Sequence, residues 1–127
     1  MTNGFWYLAS PYSKFPLGLD RAWYNVNTAA GMLLKEGIPV YSPITHGHPL
    51  SVQCGLSALD WNFWRELDRN FVNAAIGLIV LKLKGWDESV GVKWEIEEFT
   101  KAGKPIVYMK PYYIPTELRG GVYDPER

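Results

Sequence analysis

Three glutamates stand close together in GWDESVGVKWEIEEFTKAGKPIVYM, residues 85–109: Glu95, Glu97 and Glu98. A carboxylate can act as general acid, general base, nucleophile or metal ligand, depending on where its face of the element points. The segment reads as a loop, a helix near 88–102, a Gly103 stop and a strand. At about 100° per residue, Val92, Ile96 and Phe99 fall on one face within about 60° of arc. Glu95 lies about 40° from Phe99, at the margin of that apolar face. Glu97 lies about 100° from Ile96 on the far side, and Glu98 sits nearer the polar side. One carboxylate of the three therefore points toward the protein body.

The same phasing applies to LDWNFWRELDRNFVNAA, residues 59–75. Trp64, Leu67, Phe71 and Ala75 form an apolar stripe, and Asp68 falls inside it, about 40° from Trp64. Arg65, Glu66, Arg69 and Asn73 lie outside. A carboxylate on an apolar face is costly unless it is paired or employed. Asp68 capping a loop and Glu95 pairing with a lysine are structural alternatives. Two inward carboxylates on different helices suit acid/base or nucleophilic work, with glycosyl transfer and metal binding as the ordinary options. No G-x-S-x-G elbow, Walker A loop or G-x-G-x-x-G occurs. His46 and His48 stand two apart in SPITHGHP. In an extended segment both would face one side and could contact a phosphate or a ring. With Asp60 they lack a compelling third-ligand spacing, so no metal is expected, and no cofactor.

The elements that must position these residues alternate. GFWYLAS (4–10) reads as a buried strand ended by Pro11. Residues 16–37 read as a helix, with Ala22, Val26, Ala29 and Leu33 at helical spacing and Gly37 as the stop. IPVYSP (38–43) is a short strand, ITHGHPLSVQCGLSA (44–58) a long loop, and 59–75 a helix. IGLIVLKL (76–83) is the central strand and PIVYM (105–109) the last one, before an irregular tail. This order predicts one α/β domain over 1–127, Rossmann-like or flavodoxin-like, three-layered, with a mostly parallel sheet of 4–5 strands. Ligands in such folds bind at the carboxyl ends of the strands. That selects the segments 10–14, 42–49 and 84–91.

Composition narrows the partners. The 127 residues carry zero formal net charge, which disfavours a nucleic-acid polymer. Cys54 is the single cysteine, so no internal disulfide forms. The start MTNGFWYLAS has no leader pattern and no run reaches membrane-span length. A cytoplasmic protein without membrane association is expected. Aromatic content of 15%, with six Trp, is enough for a core and a pocket for a flat ligand.

Three segments carry a family resemblance: YLASPY (7–12), RELDRNFVNAAIGLIVL (65–81) and SVGVKWEIEEFTKAGKPI (89–106). They resemble the nucleoside 2-deoxyribosyltransferase superfamily. Within it they resemble the group called domain of unknown function 1937 and the 2'-deoxynucleoside 5'-monophosphate N-glycosidases. The last segment is the most specific, with Ser89 six residues before Glu95 and the helix ending at G-K-P.

The resemblance implies that Glu95 is the nucleophile at an anomeric carbon, giving a glycosyl-enzyme. Asp68 would orient it or help protonate the leaving base, and Tyr7 would hydrogen-bond the carboxylate. Ser10, in the first loop, would contact the substrate or its phosphate. Ser89 and the amides of Val90 and Gly91 would hold a 5'-phosphate, with His46, His48 and Arg21 as further binding candidates. A loop Trp or Tyr would stack on the base. Two departures stand out: ASPYSKF replaces the glycosidases' Gly-rich first loop, and SPITHGHP is foreign to the transferases but shared with the uncharacterised group.

The expectation is an N-glycosidase acting on a small-molecule nucleoside or nucleotide, with possible exchange to a second base, in a homo-oligomer. A non-catalytic nucleotide binder and an aromatic interaction module are the alternatives. Retention of both carboxylates on inward faces favours the enzyme.

Overall fold

Alternation along the first strand decides the layering. In β1 (Trp6–Ala9) all four residues are buried, so the strand is covered on both faces. Trp6 and Leu8 pack with Ala22, Val26, Ala29 and Leu33 of α1 (Leu19–Lys35). Tyr7 and Ala9 pack on the opposite face with Val72, Val92 and Phe99. A strand points successive side chains to opposite faces, so two separate cores form, one each side of the sheet. This is the three-layer α/β arrangement, seen here in a computed structural model that describes residues 4–119.

The chain continues through β2 (Val40–Tyr41), α2 (Pro43–Cys54), α3 (Trp61–Ala74), β3 (Gly77–Leu81), α4 (Val90–Lys101) and β4 (Ile106–Met109). A single 3₁₀ turn, Trp86–Glu88, precedes α4. The four strands of the described residues are all parallel, in the order β2-β1-β3-β4. β1 therefore has its successor on one side and β3 on the other. The crevice above their carboxyl ends is the topological switch point of the sheet.

Gly77 is required by the β1–β3 register. It pairs with Trp6, and a Cβ there would come within 2.3 Å of the Trp6 ring. Gly85 has φ 98, and its Cβ would meet the Lys14 carbonyl oxygen at 2.3 Å. That close approach ties the loop after β3 to the loop after β1. Both loops border the crevice.

The long loop expected over 44–58 is instead mostly helix. α2 starts where Ser42 accepts the Thr45 amide at 3.1 Å and Pro43 fills the first turn, and Gly55 at φ 71 ends it. Pro49 inside the helix cannot donate to the Thr45 carbonyl. The indole N–H of Trp23 in α1 donates to that oxygen instead, at 3.3 Å. The missing bond is thus replaced from a neighbouring helix.

The tail runs irregularly over 110–119, with Ile114 and Leu118 buried against the α1-side core. The rest of the expected tail, 120–127, lies outside the described residues, as do 1–3. No helix among the described residues is long and apolar enough to cross a membrane.

Candidate active site

α3 and α4 each turn one carboxyl toward the sheet. Asp68 is buried on α3 and Glu95 on α4, as the phasing predicted. Glu97 is exposed. Glu98 is held at the surface by Arg69 at 3.1 Å and Lys101 at 3.4 Å. No lysine or arginine pairs with Asp68 or Glu95 among the described residues. Burial therefore acts on both without a compensating cation. It pushes Glu95 up to about 8, an effect that the Asp68 charge adds to and the Tyr7 hydroxyl reduces. It pushes Asp68 up to about 7.

Tyr7, fully buried on β1, sits beneath this pair. Its Oη interacts with the Glu95 carboxyl, yet it makes no hydrogen bond of regular geometry. Contact without alignment is common in ligand-free sites and tightens on binding. Burial, then the charges of Glu95 and Asp68, hold the Tyr7 phenol well above its ordinary range, so it stays a donor. Tyr41, at the end of β2, stacks flat on Phe71 with centroids 4.0 Å apart. Burial, then Asp68 and Glu95, raise it too. Its Oη and the Ser10 Oγ are buried without partners. Unpaired buried polar atoms are rare, and these two lie beside two carboxyls that have no cation partner.

A cavity of about 370 Å³ opens above this floor. Ser10, Asp68 and Glu95 supply its polar base. Leu59, Trp61 and Trp64 form one wall, Tyr12, Ile44, Gly47 and His48 another, and Val90 and Gly91 the remaining edge. Trp61 is braced edge-on by Trp94, with centroids 5.5 Å apart. The volume suits a nucleoside-sized ligand, and apolar walls with a few convergent polar groups are the usual character of such sites.

The other sequence-selected residues divide. Ser89 caps α4, its Oγ accepting the Val92 amide at 3.2 Å. That hydroxyl is engaged, so the Val90 and Gly91 amides are what the helix end offers the cavity. Because 44–58 is not an extended segment, His46 and His48 stand about 200° apart on α2 rather than side by side. His48 is buried and lines the cavity, while His46 is exposed beside the Tyr41 ring. Arg21 is exposed on α1 over the Tyr24 ring and does not line the cavity. Asp60 caps α3, accepting from the Phe63 amide at 3.3 Å. No cluster of three metal-ligating side chains occurs among the described residues.

Sequence reasoning missed Tyr12, Tyr41, Trp61 and Trp64 as individual site residues. Tyr12 and Tyr41 each stand at the carboxyl end of a strand that flanks the switch point, which is the signal that could have found them.

A family model described as "Domain of unknown function (DUF1937)" matches residues 4–111. The matched span contains the four strands and four α-helices of the described residues and every residue of the cavity. No curated protein matches the chain.

Proposed function

The chain belongs to the family of the domain of unknown function 1937, and on that premise we propose that it is an N-glycosidase of the nucleoside 2-deoxyribosyltransferase superfamily. The substrate is a nucleoside or nucleoside 5'-monophosphate. One observation carries this reading: two buried carboxyls without counterions, from different helices, share an aromatic-walled cavity at the switch point. Such burial is a standing cost to the fold, which a reaction using both groups explains.

The reaction proceeds in two displacements. A Glu95 oxygen attacks the anomeric carbon, the carbon–nitrogen bond breaks, and the base departs with the electron pair. Asp68 gives the departing base a proton. Water then attacks the glycosyl ester, Asp68 takes its proton, and Glu95 leaves as carboxylate. A second base in place of water gives exchange. Tyr7 donates to the Glu95 carboxylate and lowers its proton affinity, favouring the ionised nucleophile. Trp61 and Trp64 offer rings for the base to stack on, and the Val90 and Gly91 amides suit a 5'-phosphate.

The productive state has one proton on the pair, carried by Asp68. With the groups at about 7 and about 8, that state is bounded on both sides.

A homo-oligomer belongs to this proposal. Leu59 and Val90, which line the cavity, and Phe63, edge-on to the Trp64 ring, are exposed and apolar enough to be covered by a second subunit.

The test is chromatographic detection of free base after incubation with nucleosides and 5'-monophosphates. A nucleotide binder is the second reading, favoured by the buried Glu95 carboxyl, which keeps its proton at neutral pH and so acts as a neutral partner. Saturable binding with no base released from any substrate would establish the binder instead.

A further inference from the structure

A second polar group in the cavity wall is not used by the two carboxyls. Tyr12 follows β1, Asp20 lies in the first turn of α1, and His48 lies on α2. The His48 Nε2 is 2.7 Å from Asp20 Oδ1, and its Nδ1 is 2.5 Å from Tyr12 Oη. Trp23 covers the imidazole, with ring centroids 5.3 Å apart. His48 is buried, Asp20 is on the solvent side, and Tyr12 and His48 line the cavity.

The direction of these hydrogen bonds follows from donor inventory. A carboxylate only accepts, so Nε2 must carry the proton shared with Asp20. When the imidazole carries that one proton alone, Nδ1 is a bare acceptor and Tyr12 donates to it. Burial, then the Asp20 charge, hold the Tyr12 phenol above its ordinary range, so that proton is retained. Having spent its only O–H, the Tyr12 oxygen has lone pairs alone to offer anything else.

We propose that Tyr12, oriented by His48 and Asp20, is a hydrogen-bond acceptor in the cavity wall that selects a base presenting an amino group over one presenting a carbonyl. The inference rests on the nucleoside reading of the cavity and deepens it. Adenine and cytosine offer an exocyclic N–H to this oxygen. Hypoxanthine and uracil offer a carbonyl oxygen at the equivalent position, which meets its lone pairs unfavourably. Asp20 and His48 act through Tyr12 as positioning residues.

The experiment compares AMP with IMP and CMP with UMP, each also as the 2'-deoxy form. Ratios of kcat/KM are measured for the wild type, and Kd ratios by calorimetry in Glu95→Gln. The amino-bearing partner is expected to be preferred by about tenfold or more, the discrimination that one buried hydrogen bond supports. Tyr12→Phe should bring the ratio close to one.

Asp20→Asn is the sharper variant, because Asp20 is solvent-exposed and its replacement threatens the fold least. Asn can donate to Nε2, moving the imidazole proton to Nδ1 and freeing the Tyr12 O–H. The preference should then fall or reverse toward the carbonyl partner. A merely structural link between α1 and α2 would weaken all ligands alike and leave the ratio unchanged. An unchanged ratio in both variants, or no preference in the wild type, overturns the proposal while base release leaves the glycosidase reading standing. Absence of both binding and base release across the panel overturns the nucleoside reading and this inference with it.

Discussion

Burying an uncompensated carboxyl makes stability depend on pH with a sign opposite to that of a salt-bridged one. In the unfolded chain a Glu ionises near about 4.3, whereas folded Glu95 holds its proton up to about 8. Between those values the unfolded state has lost a proton that the folded state keeps. Folding stability therefore falls as pH rises through this window and levels off above it. Asp68, held up to about 7, adds a contribution of the same sign.

Glu95→Gln removes the larger part. It should raise the melting temperature at pH 8 by several degrees and do little at pH 4, while lowering base release by more than about a thousandfold. Equal melting curves at pH 8 would show that Glu95 carries no such cost. Asp68→Asn should lower turnover by about 10²–10⁴-fold, the usual range for a lost acid/base. Tyr7→Phe removes the hydroxyl that favours ionised Glu95. The rising limb of its pH–rate profile should shift to higher pH, and a limb shifted to lower pH would contradict the role given to Tyr7.

At the scale of elements, the amphipathic patterns were legible because periodicity encodes which face is buried. α1, α3, α4 and three strands were anticipated near their observed places, and the phasing that singled out Asp68 and Glu95 agrees with their burial. β2 proved shorter than expected. α2 was not legible, because its Gly47 and Pro49 carry loop propensities. Part of what stabilises it comes from elsewhere in the chain, as with the Trp23 donor to the Thr45 carbonyl. Trp23→Phe should cost about 1 kcal/mol from that bond, read as earlier unfolding in denaturant. The register of β1 against β3 has its own check. Gly77→Ala places a methyl against the Trp6 ring, and overpacking of this kind costs about 1–3 kcal/mol. A neutral Gly77→Ala would mean the register tolerates a side chain there.

The molecule as a whole brings distant segments to one place by the sheet order alone. Ser10, Asp68 and Glu95 converge because β1 and β3 are neighbours while β2 lies on β1's far side. α/β alternation revealed that a switch point would exist, and loop composition revealed which segments border it. It could not reveal Asp20 holding His48 or the Tyr12 contact, which depend on how α2 lies against α1. In the proposed reaction Glu95, alone among three neighbouring glutamates, is the nucleophile. The most direct measurement is base release from the nucleotide panel by wild type, Glu95→Gln and Glu97→Gln. Wild type and Glu97→Gln should release base and Glu95→Gln should lose release by more than about a thousandfold; release retained by Glu95→Gln, or lost only in Glu97→Gln, would rule Glu95 out as the nucleophile.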